Sequence, residues 1–289
     1  MTSEGDHVEQ RSYKLGLDGL NLQITEWGRP EARPVLMLHG IRGYAATFVG
    51  VAAALQPDYR VISYDQRGRG ESDWDPQRNY YTDTYVQDLC GVLDALGLDS
   101  FDLLGHSMGG IVALVFAATH PTRVRRLVIE DAGPGAFENS AGAQRIQSEL
   151  ATTPLFFQDW SEAQDFMRHL RPTVSEEARQ QRLQSMLKKL PDGRLTWRYD
   201  HAGIAATRLH PDTSRQVDLA DYVGRIACPT LVIRGARSDY LQPDMAQRMC
   251  AANPRIQAME IPDAGHYVHD DQPVLFERQV ASFLRAETV

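Results

Sequence analysis

Hydrophobic and polar positions change rhythm several times along this chain. Over residues 21–27 they roughly alternate, the period-2 pattern of a half-buried strand, and Arg29-Pro30 with Arg33-Pro34 closes that segment off. The pattern then shifts to short apolar runs at 35–38, 61–64 and 101–104. Such runs predict strands covered on both faces, as in a parallel sheet. Between them the spacing predicts helices over 46–55, 85–96 and 108–119, the second stopping at Gly97 and the third near Pro121. Residues 126–131 predict a further strand. Repeated strand–helix alternation means an α/β layered domain, whose functional loops lie at the carboxyl ends of the strands.

That rhythm breaks at Gly133-Pro134-Gly135. From 134 to 223 no strand is expected, and helical stretches are read at 143–151, 161–170, 176–190 and 218–222. Strands at 230–235 and 256–261, with helices at 244–252 and 274–285, resume the α/β pattern. The expected organisation is therefore a core from 1–133 and 224–289 interrupted by a helical cap at 134–223. Within the cap Trp160, Phe166, Trp197 and Tyr199 are aromatic candidates for a pocket wall, and general burial rules equally suit them to the cap's own small core.

Composition narrows the class of function. With 30 Lys+Arg against 38 Asp+Glu the formal charge is −8, which argues against a general binder of nucleic-acid backbone. The first residues lack the basic flank and apolar stretch of a signal peptide, and no run of about 18 apolar residues offers a membrane span. Three widely spaced cysteines, Cys90, Cys228 and Cys250, suit buried thiols better than a disulfide frame or a metal site. A cytoplasmic protein with a small-molecule substrate is expected, with no nucleic-acid or membrane partner. Oligomeric state leaves no mark on the sequence.

Candidate chemistry gathers at the predicted strand ends. Gly105-His106-Ser107-Met108-Gly109-Gly110 stands between a buried strand and a helix, the context that gives the pattern Gly-x-Ser-x-Gly its meaning. A serine lifted above a sheet edge needs a sharp, strained turn, and the helix behind it aims its first amides at the same edge. The Met108 N–H is thereby a candidate oxyanion donor. A second donor, the Ile41 N–H, is offered by His39-Gly40-Ile41-Arg42-Gly43 after an earlier strand; His39 itself reads as structural. A serine nucleophile requires a base, and His266 in Asp263-Ala264-Gly265-His266 follows the last strand directly. His269 lacks that strand-then-glycine setting. No histidine or cysteine set shows metal-ligand spacing, and no cofactor is expected.

These motifs resemble those of the α/β-hydrolase fold family, in a serine-nucleophile member with a helical cap. Asp65-Gln66-Arg67-Gly68-Arg69-Gly70-Glu71-Ser72 matches the family's Asp-x-Arg-Gly-x-Gly-x-Ser loop, generally structural, and the order Ser, acid, His is also the family's. Two positions compete for the acid. In the commonest similar members it lies three residues beyond the glycine ending the penultimate strand, which here is Ser238, with Asp239 one place late. In a subset that includes cofactor-degradation amide hydrolases it ends the strand after the nucleophile helix, which here is Asp131. The resemblance implies cleavage of a small ester or amide through an acyl-enzyme. Carbon–carbon bond hydrolysis, acyl transfer, perhydrolase or lyase chemistry, and a non-catalytic small-molecule receptor are the alternatives on the same framework. Serine at the nucleophile disfavours aspartyl-ester chemistry. Arg42, together with Arg168, His169, Arg171, Arg198 and His201, is a candidate for binding a substrate carboxylate, and Trp197 and Tyr199 for lining its pocket.

Overall fold

The computed structural model describes residues 10–135, 140–172 and 174–286. The chain begins with an antiparallel hairpin of β1 (Gln10–Leu17) and β2 (Leu20–Trp27). Asp18 and Gly19 form its two-residue turn, both at positive φ, the backbone that matches the twist of flanking strands. β1 is almost wholly exposed, so it carries no burial-driven alternation and its polar sequence conceals it. Then follow β3 (Arg33–Leu38), α1 (Val49–Leu55), β4 (Tyr59–Tyr64), α2 (Thr82–Ala95), β5 (Phe101–His106), α3 (Met108–Thr119) and β6 (Val124–Glu130). After an intervening segment the core resumes with β10 (Thr230–Gly235), α9 (Pro243–Ala252), β11 (Ile256–Ile261), α10 (Val268–Asp271) and α11 (Pro273–Arg285).

These strands form one eight-stranded sheet in the order β1-β2-β4-β3-β5-β6-β10-β11. From β4 to β11 every pairing is parallel, and only the β1 and β2 pairings are antiparallel. Apolar side chains pack on both faces, with α2 and α3 on one and α1 and α11 on the other. That double cover explains why the central strands read as continuous apolar runs. α3 is buried nearly all round, and it lies so close to the sheet that a Cβ on Gly109 would come within 2.2 Å of the Leu38 carbonyl oxygen. No helix among the described residues is long and apolar enough to cross a membrane.

The segment between β6 and β10 departs from the expected all-helical reading. It holds α4 (Ala141–Thr152), β7 (Phe156–Phe157), α5 (Trp160–Leu170), α6 (Glu176–Met186), β8 (Leu187–Lys189), β9 (Leu195–Trp197), α7 (His201–Leu209) and α8 (Ala220–Val223). β7, β9 and β8 make a small antiparallel sheet. The expected helix at 176–190 ends at Met186, and its last residues instead enter a hairpin closed through Gly193, at φ +92. Strands of two or three residues are too short to show a period. α7, also unexpected, starts at Asp200, whose carboxylate caps the Gly203 N–H at 2.9 Å.

Candidate active site

Two strand ends supply adjacent functional positions. β5 delivers Ser107 and β6 delivers Asp131, and both residues adopt positive φ, +52 and +48. Each such backbone costs about 1–3 kcal/mol and persists only where the surroundings impose it. The loop after β11 brings His266 between them. Its Nε2 lies 2.9 Å from Ser107 Oγ and its Nδ1 lies 2.6 Å from Asp131 Oδ2. All three side chains are buried.

The two candidates for the acid are placed differently. Asp131 faces His266, whereas Asp239 is held by Arg145 through Nε at 2.7 Å and Nη2 at 2.9 Å. Ser238 occupies the more usual acid position and donates its hydroxyl to Asp131 Oδ2 at 2.5 Å. A neutral hydroxyl there orients a carboxylate that comes from the neighbouring strand. Burial pushes the His266 imidazole down, with the charges of Arg145 and Arg171 acting in the same sense, so it stands neutral at pH 7. Burial pushes the Asp131 carboxyl up, while the Ser238 hydroxyl and the Arg234 charge oppose the shift.

Ile41 and Met108 line one cavity of about 370 Å³ together with Ser107. Met108 is the first residue of α3, where a backbone N–H has no acceptor within its own helix. Gly40 lets the loop approach Ser107: a Cβ there would lie 2.7 Å from His106 Nδ1 and 3.4 Å from Ser107 Cβ. Arg69, fully buried, donates to the Ile41 carbonyl at 3.2 Å and to Met108 Sδ at 3.3 Å. Arg67 of the same loop is clamped by Asp75 and Asp88. His39 accepts from the Gln66 N–H through Nε2 and binds the Gly40 carbonyl through Nδ1, a loop-holding role as expected.

The expected substrate contacts are not on this cavity. Arg42 forms an ion pair with Glu149 at 2.6 Å. Trp197 packs against Phe157, Phe166 and Tyr199, and its indole N–H donates to the Pro154 carbonyl at 2.7 Å. It belongs to the core of the inserted segment, and Tyr199 stands beside it rather than in the cavity. Arg168 is taken by Asp165 and Glu176, and Arg198 by Glu71. The cavity wall is instead supplied by Ile146, Leu150 and Val217 on its apolar side and by Arg208, Arg215 and Tyr240. Tyr240 lies with its ring 4.4 Å from that of His266. None of these carries a motif; Tyr240 sits on the loop after β10, and the placement of the others depends on how the inserted segment folds over the sheet edge.

The residues preceding Ser107 and Asp131 grip the loop that carries His266. His106 Nε2 lies 3.0 Å from the His266 carbonyl oxygen. Glu130 accepts from the backbone N–H of His269 at 2.9 Å and from its Nδ1 at 2.8 Å. His106, Glu130 and His269 are the one grouping of metal-ligand side chains among the described residues, brought together from two strands and the short helix α10 and invisible to spacing. Their hydrogen bonds already occupy them. The Glu130 charge raises the His269 pKa, against the effect of burial, so this pair stabilises fully below pH ~6.5 and fades as pH rises through the higher folded value. Glu130→Gln is therefore expected to lower stability by about 3 kcal/mol near pH 6 and by clearly less near pH 9. Urea unfolding at both pH values checks this, and equal losses would contradict it.

The profile of the alpha/beta hydrolase fold family matches residues 33–273, and the chain belongs to that family. Among individual relatives, it is 32% identical over 262 residues to the sn-1-specific diacylglycerol lipase ABHD11 of Mus musculus, covering 86% of this chain and 80% of that one. It is 30% identical over 275 residues to a Bacillus subtilis (strain 168) protein provisionally named 2-succinyl-6-hydroxy-2,4-cyclohexadiene-1-carboxylate synthase, covering 92% and 96%. A crystal structure of E-2-(acetamidomethylene)succinate hydrolase superposes with TM-score 0.85 at 24% identity, over 96% of this chain and all of that one. Relatives that are esterases, lipases and other hydrolases support a hydrolase on this fold.

Proposed function

We propose that this protein is a cofactor-independent serine hydrolase that cleaves an ester or amide bond of a small molecule through an acyl-enzyme. The observation that carries the reading is the continuous hydrogen-bonded chain from Ser107 Oγ through His266 to Asp131, at 2.9 and 2.6 Å. Neutral His266 takes the Ser107 proton as Oγ attacks the carbonyl carbon, and Asp131 stabilises the imidazolium that results. The Ile41 and Met108 amides hold the oxyanion. His266 then protonates the leaving alcohol or amine, and water, deprotonated by His266, releases the acid and restores Ser107.

The segment 134–223 serves as the cap in this reading. It roofs the 370 Å³ cavity with an apolar side suited to an acyl or alkyl group and an arginine-bearing side suited to a polar or acidic one. The direct test is detection of the acyl group on Ser107 during turnover of a p-nitrophenyl ester.

A further inference from the structure

A second, much smaller cavity of about 20 Å³ has Gly40, Gly43 and His106 in its wall. Arg42 of the oxyanion loop, Arg171 at the end of α5 and Arg182 of α6 all reach its wall, with Tyr267 of the base loop. Two of these cations are balanced: Arg42 by Glu149 at 2.6 Å, and Arg182 by Asp270. Glu149 is shared with Arg145, which also holds Asp239. The local count is four guanidinium groups, Arg42, Arg145, Arg171 and Arg182, against three carboxylates, Glu149, Asp239 and Asp270.

Arg171 is the cation left over. It is only 6% exposed, and no carboxylate among the described residues lies within ion-pair distance of it. Its guanidinium rests on the Tyr267 ring, with Cζ 3.5 Å from the centroid, and touches the Leu170 carbonyl at 3.4 Å. Beside it, the buried Arg42 Nε has no hydrogen-bond partner. A charge taken out of water needs a counter-charge, and a ring face and one long carbonyl contact do not supply it. Burial is the largest effect and pushes the Arg171 guanidinium down; Tyr267 and the more distant Glu149 charge oppose it, and the neighbouring Arg182 and Arg42 charges add to it, with a net lowering.

We infer that this cavity is a binding site for one small monovalent anion, held by Arg171. About 10–15 Å³ of such space accommodates one water-sized particle, so 20 Å³ suits a halide or the end of a carboxylate and excludes a sulfate or phosphate group. The anion comes either from solution or from the substrate's own carboxylate, and the two sources are separable.

Crystals of the full chain in bromide are expected to show an anomalous peak in this cavity beside Arg171. In solution, chloride should raise the wild-type Tm saturably relative to gluconate at equal ionic strength. Arg171→Met should lose both the peak and the chloride response, and in gluconate its Tm should equal or exceed that of the wild type because the uncompensated charge is gone. The absence of a bromide peak, or the same chloride response in the variant, would overturn the inference. A variant that fails to fold leaves the wild-type bromide peak to decide. Chloride raising KM only for a carboxylate-bearing ester, and not for its neutral analogue, assigns the anion to the substrate; no such selectivity assigns it to solution. The bromide readout needs no turnover, so it stands or falls apart from the hydrolase reading.

Discussion

Ser107→Ala is expected to lower kcat for a short p-nitrophenyl ester by about 10⁵-fold to 10⁶-fold while the protein stays folded. The size follows from what is removed. Without Oγ no acyl-enzyme forms, and the oxyanion donors can stabilise only direct attack by water. The fold should survive because alanine fits the space of serine and inherits the same strained φ of +52, imposed by the strand–helix turn. The variant loses the hydrogen bond between Oγ and His266, a local loss. Parallel ester assays and thermal unfolding check both halves; wild-type turnover in the variant would remove Ser107 from the chemistry.

The second large effect separates the two acids. Asp131→Asn should lower kcat by about 10⁴-fold, because an amide facing Nδ1 favours the tautomer in which Nε2 carries the proton and cannot accept one from Ser107. Asparagine tolerates the positive φ at this position, so the loss is chemical more than structural. Asp239→Asn should leave kcat within about threefold and lower stability by no more than ~1 kcal/mol, since its partner Arg145 also has Glu149 and the pair is partly exposed. Reversed magnitudes would move the acid to Asp239.

The core was legible because its signals are local. Strands buried on both faces show as apolar runs, and Gly105 to Gly110 shows the strand–turn–helix junction directly. The acid was harder to read. Nothing in the sequence says that Ser238 turns its hydroxyl to Asp131 or that Arg145, on α4, takes Asp239. Both contacts join residues about a hundred positions apart; the first depends on β6 and β10 lying side by side, the second on where α4 lands. The inserted segment was read least well for the same reason. Its strands are two or three residues long, and α7 follows an aspartate cap that fits a loop equally. The arginines Arg42 and Arg198 look suited to a substrate carboxylate because the carboxylates that occupy them lie far away in sequence, and Arg168 is taken by Asp165 on its own helix and by Glu176 at the start of the next. Arg171 alone of that group lacks an ion-pair partner among the described residues. It faces the small cavity beside Gly40 rather than the larger one above Ser107.

The central claim is that Ser107 carries the acyl group between attack and hydrolysis. Acid-quenching the wild-type protein during steady-state turnover of a p-nitrophenyl ester, followed by mass measurement of the intact chain and of the peptide holding Ser107, tests it directly. The expected result is a mass increase equal to the acyl group, located on Ser107, chased away when the ester is exhausted and absent in Ser107→Ala. Turnover with the adduct on another residue, or continued unimpaired turnover in Ser107→Ala, would contradict the account.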